Sequence, residues 1–474
     1  MESSLHLLAA AWDKVAILID LLIGGFVTIH VLLRKRDVAA SIGWIGLSWL
    51  APVAGGGLYF MFGVNRVERR ARRLRPSRGR DGRDASLPTG EIAEHFKPME
   101  RAARRLTGRT ARAGNAFAVL SNGDEAYPAM LAAIAEARRS VALSSYIMRA
   151  DDAGERFIAA LVAAHGRGVQ VRVLVDGIGS GYFHSAAYRA LHRRGIPAAR
   201  FMHSSLPWRM PFLNLRSHKK ILVIDGRVGF TGGMNIAREN LVAQHPRNAV
   251  RDVHFRLDGP VVGQLAEAFA RDWSFTTDEE LDGEDWFPGL TEAGPAVARV
   301  VSSGPDEDIE KIEFVILEAI ACAHRSIRLM TPYFLPSDRL VTALAMAAMR
   351  GIAVDVVVPR VSDHMLVDWA LFPHVAPLLK DAVQIWRNPP PFEHTKLLVV
   401  DDEWCMVGSA NWDVRSLRLN FEMNVEIYDA ALAAELGRII ASRMRVRLTE
   451  RDLAARPLPL RLRDAATRLL VPYL

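Results

Sequence analysis

The chain is poor in cysteine and in lysine, and each scarcity narrows what it does. Two cysteines, Cys322 and Cys405, both sit in apolar runs. They exclude a disulfide-stapled scaffold, read as small buried hydrophobes and suit a reducing compartment. Lysine supplies only eight of the 60 basic residues, so arginine is the ordinary cation and a lysine at a repeated position asks for a reason. Neither histidine of the motif described below has a second His or Cys at zinc spacing, so neither a metal nor another cofactor is expected. Charge is missing altogether from Ala39–Phe62, an apolar run interrupted only by Pro52 and Gly55-Gly56-Gly57. That length spans a bilayer, and proline and glycine are tolerated in such helices.

What is present points to membranes and anions. Half of the 474 residues are hydrophobic and the net charge is +7, a balance that suits nucleic acid, acidic lipid or a phosphate substrate. Val15–Leu33 is a second, less clean candidate span, because Asp20 lies inside it and His30 near its end. A charged side chain at that depth costs about 2.5–3.5 kcal/mol on insertion scales. The two spans would form a hairpin around Arg34-Lys35-Arg36. Nine arginines between Arg66 and Arg83 follow; a flank this basic stays cytoplasmic and attracts acidic headgroups. The segment from Arg66 to Pro98 is expected to be a flexible linker.

From about Asn115 the pattern alternates between strands and helices. Asn122-Gly123 is expected to open a loop, with a helix over Tyr127–Arg138 and a strand over Ser140–Ile147. Gly154–Arg167 reads as a helix and Val169–Val175 as a strand. The order then returns: a helix over Ile309–Ala323, a strand over Ser326–Thr331, a helix over Leu340–Arg350 and a strand over Ile352–Val358. Arg139-Ser140-Val141 matches Arg325-Ser326-Ile327, Gly168-Val169 matches Gly351-Ile352, and His218 matches His394. A whole domain is duplicated. The expected class is α/β: two tandem domains, each a mixed sheet flanked by helices, after a two-helix transmembrane hairpin. The boundaries read as hairpin 1–64, basic linker 65–112, first domain 113–275, linker 276–300, second domain 301–450 and tail 451–474. The arginines of Ala431–Arg447 suit either a solvated face or a lipid surface. The apolar end Leu469–Leu474 would dock on the body or dip into the interface.

The duplication carries one motif twice. His218-Lys219-Lys220 leads into Ile221–Ile224, Asp225 and Gly232-Gly233-Met234-Asn235. His394-Thr395-Lys396 leads into Leu397–Val400, Asp401 and Gly408-Ser409-Ala410-Asn411. A chance H-x-K-x4-D is expected in roughly one such chain in a hundred, and two with matching loops far less often. On a strand, side chains two apart share a face, so each histidine stands beside its lysine. Imidazole attacks phosphorus or carries a proton, and ammonium holds a phosphate oxygen. Lys220, Lys396, Asn235, Asn411 and Ser409 are the candidate phosphate contacts. Glu422 and, in the first half, Asp252 are candidates for fixing a histidine's tautomer. Asp225 and Asp401 complete the motif, yet their place after the strand suggests that they brace the fold.

This pattern resembles the phospholipase D superfamily, in which two such motifs meet in one active site. The hairpin, the basic linker, Thr331-Pro332-Tyr333-Phe334 and Asp413-Val414-Arg415-Ser416-Leu417 leading to Asn420-Phe421-Glu422 look like the bacterial cardiolipin synthases, over nearly the whole chain. The resemblance implies a catalytic set of His218, Lys220, Asp225, His394, Lys396 and Asp401, with His218 attacking and His394 as acid and base. It implies phosphatidyl transfer between two phosphatidylglycerols with release of glycerol, at the bacterial inner membrane, in a multi-pass protein with cytoplasmic catalytic domains and anionic lipids as partners. Gly232-Gly233 where Gly-Ser is usual removes one hydroxyl. The alternatives are a phospholipase D or another phosphatidyltransferase, a nuclease, and a non-catalytic scaffold. Two spans speak against nucleic acid, and two intact motifs against a scaffold.

Overall fold

Long helical and strand runs account for most of the computed structural model, which describes residues 2–34, 38–63, 90–203, 215–305 and 308–471. The arginines from Arg66 to Arg83, the loop residues Lys35 and Arg36, and Pro472–Leu474 lie outside the described residues. At the N-terminus Glu2–Arg34 is one helix, and its stretch Lys14–Arg34 is long and apolar enough to cross a membrane. The other expected span does not form one helix. It runs as Val38–Leu50 and Pro52–Leu58 and ends in a π turn over Tyr59–Gly63. Proline excludes its predecessor from the helical region, and Ala51 stands at φ −144°, ψ 75°. The broken segment packs back on the first helix through Val27, Val31 and Tyr59. Two polar contacts tie this hairpin together: Trp49 donates to Thr28 at 3.0 Å, and His30 Nδ1 meets the Tyr59 hydroxyl at 2.6 Å.

The first repeat lays down β1 (Arg112–Ser121), β2 (Ser140–Ser145), β3 (Gln170–Asp176), β4 (Ala198–Phe201), β5 (Ile221–Ile224), β6 (Val228–Gly232), the short β7 (Val250–Arg251) and β8 (Val253–Asp258). The second repeat adds β9 (Ala296–Ser303), β10 (Ser326–Met330), β11 (Phe334–Leu335), β12 (Ala353–Pro359), β13 (Gln384–Asn388) and β14 (Phe392–Glu393). It finishes with β15 (Leu397–Val400), β16 (Trp404–Gly408), β17 (Trp412–Asp413), β18 (Glu422–Tyr428) and β19 (Val446–Leu448). The two expected sheets are joined into one of 15 strands, in the order β19-β13-β12-β10-β15-β16-β18-β9-β1-β8-β6-β5-β2-β3-β4. Read outward from β9 and β1, the two halves have the same order, with β19 extra. The βα crossovers make β2-β3-β4 and β10-β12-β13 parallel; the other neighbours in the sheet are antiparallel, with β5-β6 and β15-β16 as tight hairpins.

The halves meet where β1 pairs with β9, and Asn115 Nδ2 donates to the Ala296 carbonyl across that seam at 3.1 Å. Each repeat has its own apolar core, one around Phe157, Leu161 and Phe230, the other around Ile316, Leu329 and Met406. Near the seam, Arg299 on β9 is register-paired with Glu426 on β18, and both are fully buried in an ion pair. Losing one partner of such a pair costs about 3–5 kcal/mol.

Three local expectations are corrected. Asn122 and Gly123 start the helix Asn122–Glu136 instead of a loop. Asn122 takes φ 59°, donates its N–H to the Asp252 carbonyl and accepts from the Asp252 N–H. Asparagine tolerates that left-handed conformation, so the turn shrinks to one residue. The expected linker holds the helix Lys97–Thr107, and Phe96 just before it enters the second repeat's core together with the helix's Met99 and Ala103. The linker expected at 276–300 is pinned as well: Glu279 accepts from Arg172 and Trp273, and Leu281 and Trp286 are buried.

Candidate active site

Each motif enters its strand from an extended segment, and that segment pairs with the other repeat. Ser217 bridges Phe421, with His218 N–H donating to the Phe421 carbonyl at 2.9 Å. Phe392–Glu393 pairs in parallel with Val250–Arg251, and His394 N–H donates to the Arg251 carbonyl at 2.8 Å. The residues one step further along, Glu422 and Asp252, are thereby set opposite the imidazoles. Glu422 Oε1 stands 2.9 Å from His218 Nδ1, and Asp252 Oδ2 stands 2.8 Å from His394 Nδ1. Both carboxylates are buried, while the two imidazoles are 15 % and 17 % exposed. Each histidine is held by a carboxylate from the opposite repeat.

This exchange fixes tautomers. With Nδ1–H donating to a carboxylate, Nε2 keeps its lone pair. His218 Nε2 is buried and has no hydrogen-bond partner. Burial, opposed by Glu422, pushes the His218 pKa down to about 4, so the ring is neutral at neutral pH. Burial and then the Lys396 charge lower His394 too, against the pull of Asp252.

Lys220 and Lys396 lie on the same faces as their histidines and donate to the carbonyls of His218 and His394. Lys219, between them, turns the other way to a buried ion pair with Asp272 at 2.9 Å. Burial lowers Lys220 to about 8 and Lys396 to about 7. The charge of Lys220 contributes to the lowering of both Lys396 and His394. The two motifs thus share one electrostatic site.

The other expected residues divide. Asp225 and Asp401 take positive φ at the far ends of β5 and β15, about 15 Å along the chain from the lysines at ordinary strand rise. Asp225 accepts N–H groups from Arg138, Arg139 and Ser140, and Asp401 from His324, Arg325 and Ser326. They clamp the start of β2 and of β10, and their place in a catalytic set is corrected to a structural one. Ser409, a candidate phosphate contact, spends its hydroxyl on Glu422 Oε2 at 2.5 Å and accepts from Met423 N–H. Asn411 has its Oδ1 buried without a partner, and Asn235 Oδ1 accepts from Ile147 N–H at 3.2 Å. Among the described residues no group of three or more His, Cys, Asp or Glu side chains stands ready to hold a metal.

Several neighbours were given no role by the sequence, although Tyr333 and Asn420 lie in the stretches that carry the family resemblance. The Tyr146 ring lies 4.2 Å from the His218 ring and 5.3 Å from Lys220 Nζ, and Arg216 donates to its hydroxyl at 3.1 Å. Asn420 Nδ2 lies 3.2 Å from His218 Nδ1. On the other side Phe392 stands 6.0 Å from His394, and Tyr333 stands behind Phe392 at 6.4 Å. Position two before the histidine is Arg216 in one half and Phe392 in the other; only that matched spacing hints at the asymmetry.

The chain is similar to known proteins along most of its length. A family model described as cardiolipin synthase, PLD-like domain, matches residues 130–273 and 316–444. A cardiolipin synthase of Geobacillus kaustophilus (strain HTA426) is 31% identical over 95% of this chain and 92% of that one. The major cardiolipin synthase ClsA of Bacillus subtilis (strain 168) is 31% identical over 93% of this chain and 95% of its own. Among solved structures, a phosphatidylserine synthase of Haemophilus influenzae Rd KW20 aligns with a TM-score of 0.61 at 14% identity, covering 80% of this chain and all of that one. That likeness is one of fold.

Proposed function

We propose that this chain, which belongs to the cardiolipin synthase family of phospholipase D-like proteins, transfers a phosphatidyl group from one phosphatidylglycerol to another through a phosphohistidine. The observation that carries the chemistry is the exchange of carboxylates between the repeats, which leaves His218 Nε2 buried, unpartnered and neutral. In the first step Nε2 bonds to phosphorus, the phosphorus–oxygen bond to glycerol breaks, and His394 gives its proton to the departing oxygen. In the second, the terminal hydroxyl of the acceptor passes its proton to His394, its oxygen bonds to phosphorus, and the histidine–phosphorus bond breaks.

Charge makes this feasible. Burial and, after it, the charges of Lys396 and Lys220 depress His394; an incoming phosphodiester anion offsets those charges and favours proton uptake by the ring as substrate binds. The same anion favours the charged forms of Lys220 and Lys396, which with the amides of Asn235 and Asn411 hold the phosphoryl oxygens. Glu422 and Asp252 orient the rings, and Ser409 orients Glu422. In this reading the N-terminal hairpin crosses the membrane twice. The arginines after Arg66 keep the catalytic repeats on the cytoplasmic side.

The test is incubation of membranes carrying the protein with headgroup-labelled phosphatidylglycerol, beside His218→Ala. Glycerol release matched by cardiolipin, and lost in the variant, is expected. Phosphatidic acid without cardiolipin would make the protein a hydrolase, and no turnover would overturn the proposal.

A further inference from the structure

The C-terminal helix Leu458–Arg468 presents an inverted face to the protein. Its polar residues Asp464 and Thr467 face the body. Asp464, 2 % exposed, accepts from Arg456 and from Arg463, each through two N–H groups. Those guanidinium groups in turn lie over Phe372 at 3.7 Å and Trp369 at 4.1 Å, on the helix Met365–Lys380. Bolted down this way, the helix turns its leucines outward. Leu458, Leu462 and Leu469 are 65 %, 62 % and 78 % exposed. Their spacing, with exposed Ala465 and Ala466 between, puts them along one helical stripe. Arg461 and Arg468, both exposed, flank that stripe.

A single exposed leucine needs no explanation, but a contiguous stripe of them does. Met365, at the start of the supporting helix, and Val361, just before it, are exposed as well, at 60 % and 56 %. The stripe also leads to the site. Val471, just past the leucine stripe, is buried with Leu335, Val367 and Ala370 against Tyr333, the ring behind Phe392 and His394.

We propose that the outward face of Leu458–Arg468, together with Met365 and Val361, docks the catalytic repeats on an anionic lipid surface. The leucines enter the boundary between headgroups and acyl chains, and Arg461 and Arg468 lie among the phosphates. The inference rests on the lipid substrate proposed above and supplies what that reading lacks. Dragging two acyl chains into water costs about 0.8 kcal/mol for each methylene exposed, so the entrance must meet the bilayer while the headgroup alone moves to the histidines. The flanking arginines favour anionic lipid over a second apolar protein surface as the occupant.

The test uses the full chain in vesicles. Leu462→Cys in a Cys322→Ala background, with Cys405 fully buried, carries an environment-sensitive fluorophore. Arg156→Cys, exposed on the first repeat's helix Asp152–Gly166, is the control. At position 462 the emission shifts to the blue and is quenched by nitroxide-labelled acyl chains, more in phosphatidylglycerol than in phosphatidylcholine vesicles; at 156 it does neither. In the combined variant Leu458→Glu, Leu462→Glu and Leu469→Glu, the ratio of turnover on vesicles to turnover on a water-soluble short-chain phosphatidylglycerol falls at least about tenfold. A label that stays polar and unquenched overturns the proposal. So does a shift that follows protein concentration instead of lipid, which would mark a contact between two copies. The fluorescence reads docking whether or not cardiolipin is formed, so its failure is distinct from failure of the proposed reaction.

Discussion

Around His218 the imidazole is held by a glutamate, faced by the Asn420 amide and covered by Tyr146 with Arg216 behind it. Around His394 the holding group is an aspartate, and the neighbours are Phe392 and Tyr333. The carboxylates differ by one methylene, and the loop opposite each has adjusted. Ser409 donates to the longer Glu422. Its counterpart is Gly233, where a Cβ would lie 2.6 Å from Asp252 Oδ1. A serine there has no room, which explains the missing hydroxyl in that loop. Duplicated halves have thus kept a reciprocal scaffold, each histidine depending on the other repeat's carboxylate, while the walls beside them diverged.

The largest effect tests whether that divergence separates the roles. His218→Ala and His394→Ala should each cost about 10³-fold or more in phosphatidyl transfer. With a phosphatidyl ester whose leaving group needs no acid, His394→Ala should still give a burst and a trapped phosphohistidine, and His218→Ala none. A burst in the His218 variant would reverse the assignment.

Removing the holding groups comes next. Glu422→Gln and Asp252→Asn keep shape but offer a donor where an acceptor is needed, and kcat should fall by about 10²–10³ in each. Unequal losses would show that one imidazole needs its carboxylate more than the other.

The loop adjustment makes a smaller, directional prediction. Ser409→Ala loses one hydrogen bond to a carboxylate, about 1.5 kcal/mol or tenfold in kcat. Gly233→Ser should be the more damaging of the two, since its Cβ displaces the Asp252 carboxylate instead of merely releasing one. If Gly233→Ser behaves as wild type, the steric account of that glycine is wrong.

The mildest effect is on pH. Lysine is charged below its pKa, and burial has brought Lys396 down to about 7 and Lys220 to about 8. The free enzyme therefore loses phosphate-binding charge as pH rises through that window, and kcat/KM should decline there. The kcat limb should lie higher, because a bound phosphodiester anion favours the ammonium. Lys396→Arg should move the kcat/KM limb up to the one left by Lys220, near 8, at reduced maximal rate. A flat wild-type profile to pH 9 would remove the lysines from substrate binding.

Much of this was legible in the order of residues. The placing of His218 with Lys220, and of His394 with Lys396, follows from the two-residue period of extended chain, as does the turning away of Lys219. The βα alternation marked β2, β3, β10 and β12 because continuous apolar runs between turns are local patterns. The helix at Lys97 went unseen because the few apolar residues that anchor it, Phe96, Met99 and Ala103, lie among arginines and matter only through a core more than two hundred residues downstream. The second apolar segment was read as one span because apolar length is countable, whereas the break before Pro52 is a matter of backbone angle.

Local chemistry, repeated, determined the motif, the class of fold and the pairing of each imidazole with an ammonium. Tertiary structure alone decided which carboxylate serves which histidine, that Ser409 serves Glu422 rather than phosphate, and which face of the last helix is turned outward. The reason is the same for all three. Sequence periods report which side chains share a face of one element, but a hydrogen bond between His218 and Glu422, 204 positions apart, exists only once β-pairing has brought Ser217 beside Phe421. No local period encodes that meeting.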